Sequence, residues 1–199
     1  MDQEIENIQI KSEVQDEIVL AALKLFAEKG YFNTSLIDIK EAAELKTVGI
    51  IYQYFKTKQA IAAQLHADIL DNLSISIDDI KVNNEKSSEQ LRGIVDLLFK
   101  LTDEAPYVMR FLLTLKFSEF LPDAKPLHES VVGIKILNII EAGIKDGEIR
   151  AMTPQLGYAH FFGIIDNTLR LKLSGFLDRK AEVYQSQAWL VAWNAIAKK

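Results

Sequence analysis

Between Thr34 and Lys58 the chain gathers side chains that could grip and read a duplex, with no catalytic motif among them. In the run Thr47-Val-Gly-Ile-Ile-Tyr-Gln-Tyr-Phe55, Gln53 is the side chain able to form a bidentate pair with adenine. Val48 and Ile50 can offer only apolar contact, for instance to a thymine methyl. Gly49 costs about 1 kcal/mol relative to Ala inside a helix. Its reason is either a backbone brought close to a phosphate or a crowded helix crossing. Tyr52 and Tyr54 lie two apart, so they cannot share one helical face and at most one is fully buried. The hydroxyl of the other can reach a phosphate. Lys58 opens the next helix, where a cation gains nothing from the helix dipole; phosphate contact and plain solvation are its two readings.

Other site chemistries find no support. His66, His128 and His160 are scattered, and His66 with Asp68 fails helical ligand spacing because i and i+2 diverge. Cysteine is absent, which rules out a thiolate nucleophile, a disulfide framework and a zinc finger. No Gly-x-Ser-x-Gly elbow and no glycine-rich phosphate loop occurs. Neither a metal nor a cofactor is expected, and the chain is not expected to be an enzyme.

The elements that must position the Thr34–Lys58 residues follow from apolar spacing. Leu36, Ile39, Ala42 and Ala43 mark one short helix, started by Ser35 with Asp38 as a capping box. Val48, Ile51, Tyr52 and Phe55 mark a second, with Thr47 as its N-cap. Two short helices joined by a tight turn make a helix-turn-helix, whose second helix would enter the major groove by its N-terminal end. A helix over about 14–29, stopped by Gly30, completes a three-helix head. Across residues 11–58 seven lysines face seven carboxylates, so the head carries no strong electrostatic footprint.

The remainder reads as helices over about 57–80, 89–104, 106–121, 127–145, 154–175 and 179–197, with a polar loop at 82–88. No strand pattern or repeat occurs, so the expected fold is all-α, about nine helices. The expected division is a flexible tail over 1–12, a DNA-binding head over 13–58, and a helical ligand-binding and dimerisation body over 59–199. The 199 residues and 49% hydrophobic content suffice for such a core. Asp2, Glu4 and Glu6 without a basic residue give no secretory signal, and no apolar run suits a bilayer. A cytoplasmic protein without membrane association is the expectation.

The stretch IVLAALKLFAEKGYFNTSLIDIKEAA, followed by VGIIYQYFKTKQAI, resembles the DNA-binding domain of the tetracycline-repressor (TetR) family of bacterial regulators. Shared spacings run from Ile18 to Ile61: aliphatic-Ala-Ala-x-x-Leu-Phe, Gly-Tyr, Thr-Ser, Ile-x-x-Ala-Ala and Gly-x-x-Tyr-x-Tyr-Phe-x-x-Lys. The resemblance implies a homodimeric repressor, bound to a palindromic double-stranded operator and released by a small molecule held in the body. It implies phosphate contacts from Thr34, Tyr52, Tyr54 and Lys58, with Thr47, Val48, Gly49, Ile50 and Gln53 at the DNA. Two positions depart from the pattern. The turn before the second helix reads Glu44-Leu45-Lys46, one residue longer and without the usual glycine. The arginine common ahead of the first helix is missing, with Gln15 and Asp16 nearby.

In the body, Phe99, Tyr107, Phe111, Phe117 and Phe161 read as core or as walls of an apolar pocket, with Asn138, His160 and Asp166 available to orient a largely apolar effector. The last two helices carry more apolar faces than one core can bury. Ile164, Ile165, Leu169, Trp189 and Trp193 are the expected dimer contacts, in a four-helix bundle that Gly157 and Gly163 would let close tightly. The competing reading is a helical ligand-binding or adaptor protein whose helix-turn-helix no longer binds DNA specifically.

Overall fold

The structure, a computed structural model, describes the backbone of residues 2–199 and the side chains of 13–199. Among the described residues it is all-α, with a single isolated bridge between Ile149 and Ala197 in place of any strand. No helix among them is long and apolar enough to cross a membrane. The chain forms two compact units: Met1–Asp68 with Thr114–Ala124, and Ile69–Leu113 with Lys125–Lys199.

The first unit holds α1 (Asp2–Lys29), α2 (Leu36–Ala42), α3 (Val48–Tyr54) and the first turns of α4 (Lys58–Asn83). The tail expected over 1–12 falls on the residues whose side chains lie outside this description. Ile18, Ala22 and Phe26 of α1 are fully buried, as are Ile39, Ile51, Ile61 and Ala62 from the other three helices. Gly30 ends α1 in the left-handed region (φ 82), where a side chain would be strained, and its amide bonds Phe26 O at 3.1 Å.

The sequence predicts one helix over 106–121; the structure ends α6 at Thr114 (Pro106–Thr114). Beyond it a 3-10 turn, Phe117–Glu119, leads into buried Phe120 and Leu121, and this segment belongs to the first unit. An apolar run fits a longer helix equally well by its period. Packing of Phe120 against Tyr31 decides otherwise.

The second unit holds the rest of α4, α5 (Ser87–Glu104), α6, α7 (Val131–Lys145), α8 (Pro154–Leu173) and α9 (Ala181–Ile196). α8 packs chiefly on α9 and α7, and α5 on α9. The predicted polar loop at 82–88 shrinks to Asn84–Lys86, because α4 runs on to Asn83 and α5 starts at Ser87. Two of these helices are capped from far away in the chain. Glu148 accepts the amides of Ser87 (2.9 Å) and Ser88 (3.2 Å) and the Ser88 hydroxyl, so a carboxylate sits on the N-terminus of α5. Asp103 does the same for α9, accepting from the amides of Ala181 (2.8 Å) and Glu182 (3.1 Å).

Candidate nucleic-acid interface

α2 starts as its sequence demands. The amide of Asp38 donates to Ser35 Oγ at 3.1 Å, and the amide of Ser35 donates to Asp38 Oδ2 at 2.7 Å, which closes a capping box. Hydrogen bonds from the Ser35 hydroxyl and amide, helped by the charge of Lys29, hold the Asp38 carboxyl below its usual range.

The unusual turn closes without glycine. Leu45 N–H reaches back to Lys40 O at 2.9 Å and Glu44 N–H to Glu41 O at 3.1 Å, the paired bonds of a Schellman motif. Glu44 occupies the left-handed position (φ 53) that glycine normally fills. The chain thereby reaches Thr47 in extended conformation, ready to start α3.

α3 is anchored by Ile51 and Phe55, both buried. Thr47, Gly49 and Gln53 are exposed, Tyr52 is 57% exposed, and Val48, Ile50 and Tyr54 are half-buried. Tyr52 thus leaves the apolar stripe on which its spacing placed it. A Cβ on Gly49 would meet only Thr47 Oγ1, at 3.5 Å, so helix crowding is not the reason for this glycine. Thr47 makes no side-chain cap bond, and α3 contains no charged residue.

Two of the expected phosphate contacts have other work. Thr34 is 1% exposed and its hydroxyl donates to Gly30 O at 2.9 Å. Lys58 turns inward: Nζ donates to Tyr31 O (2.7 Å) and Thr34 O (2.6 Å) and lies 4.1 Å from the centre of the Tyr31 ring. Carbonyls in the crossing between α1 and α2 need donors once sheltered, and Lys58 supplies them. Burial pulls its ammonium below the ordinary lysine value, opposed by the charge of Asp38. The exposed cations that bracket α3 are Lys46 and Lys56. Their positions either side of the helix were legible in the sequence, but only as entries in a charge balance.

In the second unit the expected pocket residues disperse. Phe99, Phe111 and Phe161 are buried in the core, Tyr107 is half-buried, and Asn138 and His160 are exposed. Phe117 lies in the first unit, its ring 4.5 Å from that of His66. Asp166 alone among the polar candidates borders a cavity. That cavity, of about 30 Å³, is walled by leucine, isoleucine, valine, methionine and phenylalanine side chains. Leu127, Phe162 and Asp166 also border an open cleft of about 530 Å³. Tyr158, Phe162, Asp166 and Arg170 form one row along α8, a spacing of four that sequence reading missed. Tyr158 stacks on Phe162 with centroids 5.0 Å apart, and Arg170 Nε donates to Asp166 Oδ2 at 2.7 Å. Burial, then the charge of Asp166, pushes the Tyr158 hydroxyl up to about 12.

The expected dimer residues divide similarly. Ile165 and Leu169 turn into the core of their own unit, because α8 buries that face together with Phe161 and Leu173. A Cβ on Gly157 would meet Ile140 at 2.9 Å, so its close approach serves packing within the chain. Ile164, Trp189 and Trp193 are half-buried, while Gly163, Val183, Leu190 and Val191 are exposed.

Residues 18–65 match the sequence profile of the bacterial regulatory proteins of the tetR family. The chain is similar to HTH-type transcriptional regulator HbdR of Aromatoleum sp. (strain CIB), 41% identical over 59 residues, covering 30% of this chain and 25% of that one. It is similar to the HTH-type transcriptional repressor KstR2 of Rhodococcus jostii (strain RHA1), 24% identical over 145 residues, covering 71% of this chain and 70% of that one. IcaR of Staphylococcus aureus, a negative regulator of the icaADBC biofilm operon, is 31% identical over 87 residues, covering 44% and 45%. The chain therefore spans less than half the length of HbdR and of IcaR. Among solved structures, a TetR family transcription regulator from Marinobacter aquaeolei VT8 shares the fold with a TM-score of 0.77 at 23% identity, covering 96% of this chain and 99% of that one. FadR from Bacillus subtilis, in complex with stearoyl-CoA, shares it with a TM-score of 0.69 at 22% identity, covering 90% and 98%.

Proposed function

We propose, from the match of residues 18–65 to the bacterial regulatory proteins of the tetR family, that the chain is a transcriptional repressor of that family. It binds a palindromic operator as a homodimer and leaves it when a small, largely apolar molecule occupies the second unit. The observation that carries this reading is α3: a helix anchored by Ile51 and Phe55 that presents Thr47, Gly49, Tyr52 and Gln53 to solvent. Gln53 reads a base, Tyr52 and Tyr54 reach phosphates, and the exposed Lys46 and Lys56 take the electrostatic part expected of Lys58. The apolar lining of the cavity of about 30 Å³ that Asp166 borders supports an apolar effector, and the FadR neighbour holds a long-chain acyl-CoA. Exposed Val183, Leu190 and Val191 of α9, beside half-buried Trp189 and Trp193, support a two-fold interface through this helix.

Two half-sites must then be met together, at a spacing of about one helical turn or a multiple of it. Effector and operator antagonise each other by the same factor, as linkage requires. The test is a mobility-shift titration of the full chain on the DNA flanking its own gene and on a scrambled duplex. Specific binding that weakens for Gln53→Ala by about 1–3 kcal/mol on the operator alone supports the reading. Equal affinity for both duplexes overturns it. Two observations favour the adaptor reading: the head is electrically neutral, and Thr34 and Lys58 are engaged internally.

A further inference from the structure

We propose that α3 reads A·T pairs, and that Gly49 is where a thymine methyl enters, about two base pairs from the adenine that Gln53 reads. This deepens the regulator reading and rests on it.

An α-helix turns about 100° per residue, so the faces of α3 follow from the residue it buries. Ile51 is fully buried. Gly49 and Gln53 lie about 160° and 200° round the helix from it, so these two exposed residues, four apart, form the outermost row. Tyr52 flanks the row on one side and half-buried Ile50 on the other. The chemistry of this face is narrow. It has no guanidinium or ammonium to give guanine its paired donors, and no carboxylate to accept from cytosine. Its one amide, Gln53, matches adenine, which shows an acceptor and a donor side by side in the major groove. Lys46 and Lys56 stand outside the helix, beyond Thr47 at its start and Phe55 at its end.

Gly49 supplies the second half of the reading. A Cβ there would meet only Thr47 Oγ1 within 4 Å, at the ordinary contact distance of 3.5 Å. Alanine would therefore fit the chain and favour the helix, so the reason for the glycine lies outside the chain. The gap is the size of one Cβ and lies beside Ile50, which suits a methyl group. Thymine carries such a group into the major groove. Four residues of helix advance about 6 Å, and bases stack about 3.4 Å apart, so Gly49 and Gln53 reach pairs about two steps apart. Seven lysines balance seven carboxylates over residues 11–58, so general attraction to phosphate adds little and the choice of duplex falls on this row.

The full chain and Gln53→Ala are each used to select duplexes from a randomised library. The pairs under α3 are those whose preference relaxes in Gln53→Ala, with their neighbours two steps either side. They are expected to be A·T. Deoxyuridine in place of thymine removes the 5-methyl group alone, and at the pair facing Gly49 it should weaken binding about fourfold. Gly49→Ala should slow amide exchange in α3 of the free chain about fivefold, yet weaken binding to the thymine duplex about tenfold. For this variant the order of the two duplexes should reverse, because uracil leaves room for the added methyl. Selected G·C pairs under α3 overturn the proposal, as do preferences unchanged in Gln53→Ala or a natural chain indifferent to uracil. A Gly49→Ala effect equal on thymine and uracil duplexes also overturns it, and would assign the gap to a phosphate. All of these leave the regulator reading standing. A chain that enriches no duplex removes that reading and this inference together.

Discussion

The two units meet the same problem, the unpaired amides and carbonyls at helix ends, with a different balance of near and distant partners. In the first unit the partners are close in the chain: Asp38 for Ser35 three residues away, and Gly30 O for the Thr34 hydroxyl four residues away. In the second, α7 is likewise capped by its neighbour Ser130, but α5 and α9 are served from afar: Glu148 reaches Ser87 across 61 residues, and Asp103 reaches Ala181 across 78. A locally capped helix carries its own start signal and can form before its surroundings are complete. A remotely capped helix is stable only when the whole unit has closed, so its ends report on tertiary structure. Gln59, which donates to Phe120 O across 61 residues, and Lys58 depart from this in the first unit; Lys58 reaches back 27 residues to Tyr31 and 24 to Thr34.

Lys58 carries the largest expected effect. Lys58→Met keeps the apolar stem and removes two charge-assisted hydrogen bonds, and should cost about 3 kcal/mol, read as faster amide exchange in α2 and α3. The salt dependence of operator binding should not flatten in this variant, whereas Lys56→Ala should flatten it by about one unit. The reverse pattern would return Lys58 to the phosphate role that its spacing suggested.

Glu148→Gln comes next. It leaves two serine amides facing a weaker acceptor and should destabilise the second unit by about 2 kcal/mol in urea unfolding. The effect should depend on pH. Burial alone would raise the Glu148 pKa, but the Ser88 hydroxyl and amide, the Ser87 amide and the Lys86 charge outweigh it and leave the value lowered. A lowered folded-state pKa means that the stabilisation is complete above the unfolded value of 4.5 and fades as pH falls through the folded one. The natural chain should thus lose its advantage over Glu148→Gln on acidification below that point. A difference that stayed constant down to strongly acid pH would remove the carboxylate from the account.

Ser35→Ala should cost about 1 kcal/mol, confined to exchange in α2 and α3. Spread of that loss into α5 or α9 would break the contrast between local and remote capping. The smallest effect is a gain. Glu44→Gly relieves a left-handed side chain and should stabilise the first unit by about 0.5 kcal/mol, after the added freedom of the unfolded chain is subtracted. Destabilisation would mean that the Glu44 side chain has a role beyond closing the turn.

The same contrast explains what could be read in advance. Ser35 with Asp38, Gly30 after a helix, and Ile39, Ile51 and Phe55 at helical spacing each carry their reason within a few residues, so the head was legible. The internal bonds of Lys58 are not legible in this way, because its acceptors lie 27 and 24 residues upstream. The end of α6 was missed because an apolar run through Phe117 and Phe120 fits one long helix as well as a turn pressed on Tyr31. Ile165 and Leu169 were placed on an outer face because an apolar stripe does not say which neighbour covers it. The row from Tyr158 to Arg170 was legible and went unread, since its aromatic, acidic and basic members belong to no single residue class.

The stacked pair on α9 has an optical consequence. Trp189 and Trp193 are the only two tryptophans of the chain, their centroids 5.5 Å apart and their planes 7° from parallel, and Arg92 stands 5.3 Å from the Trp189 ring. Excitation near 295 nm, roughly where indole alone absorbs among the side chains that interact in this way, therefore lights one helix of the second unit and leaves the head dark. Fluorescence that shifts when operator DNA is added would report a change within the second unit, from residues that lie outside the head in the chain.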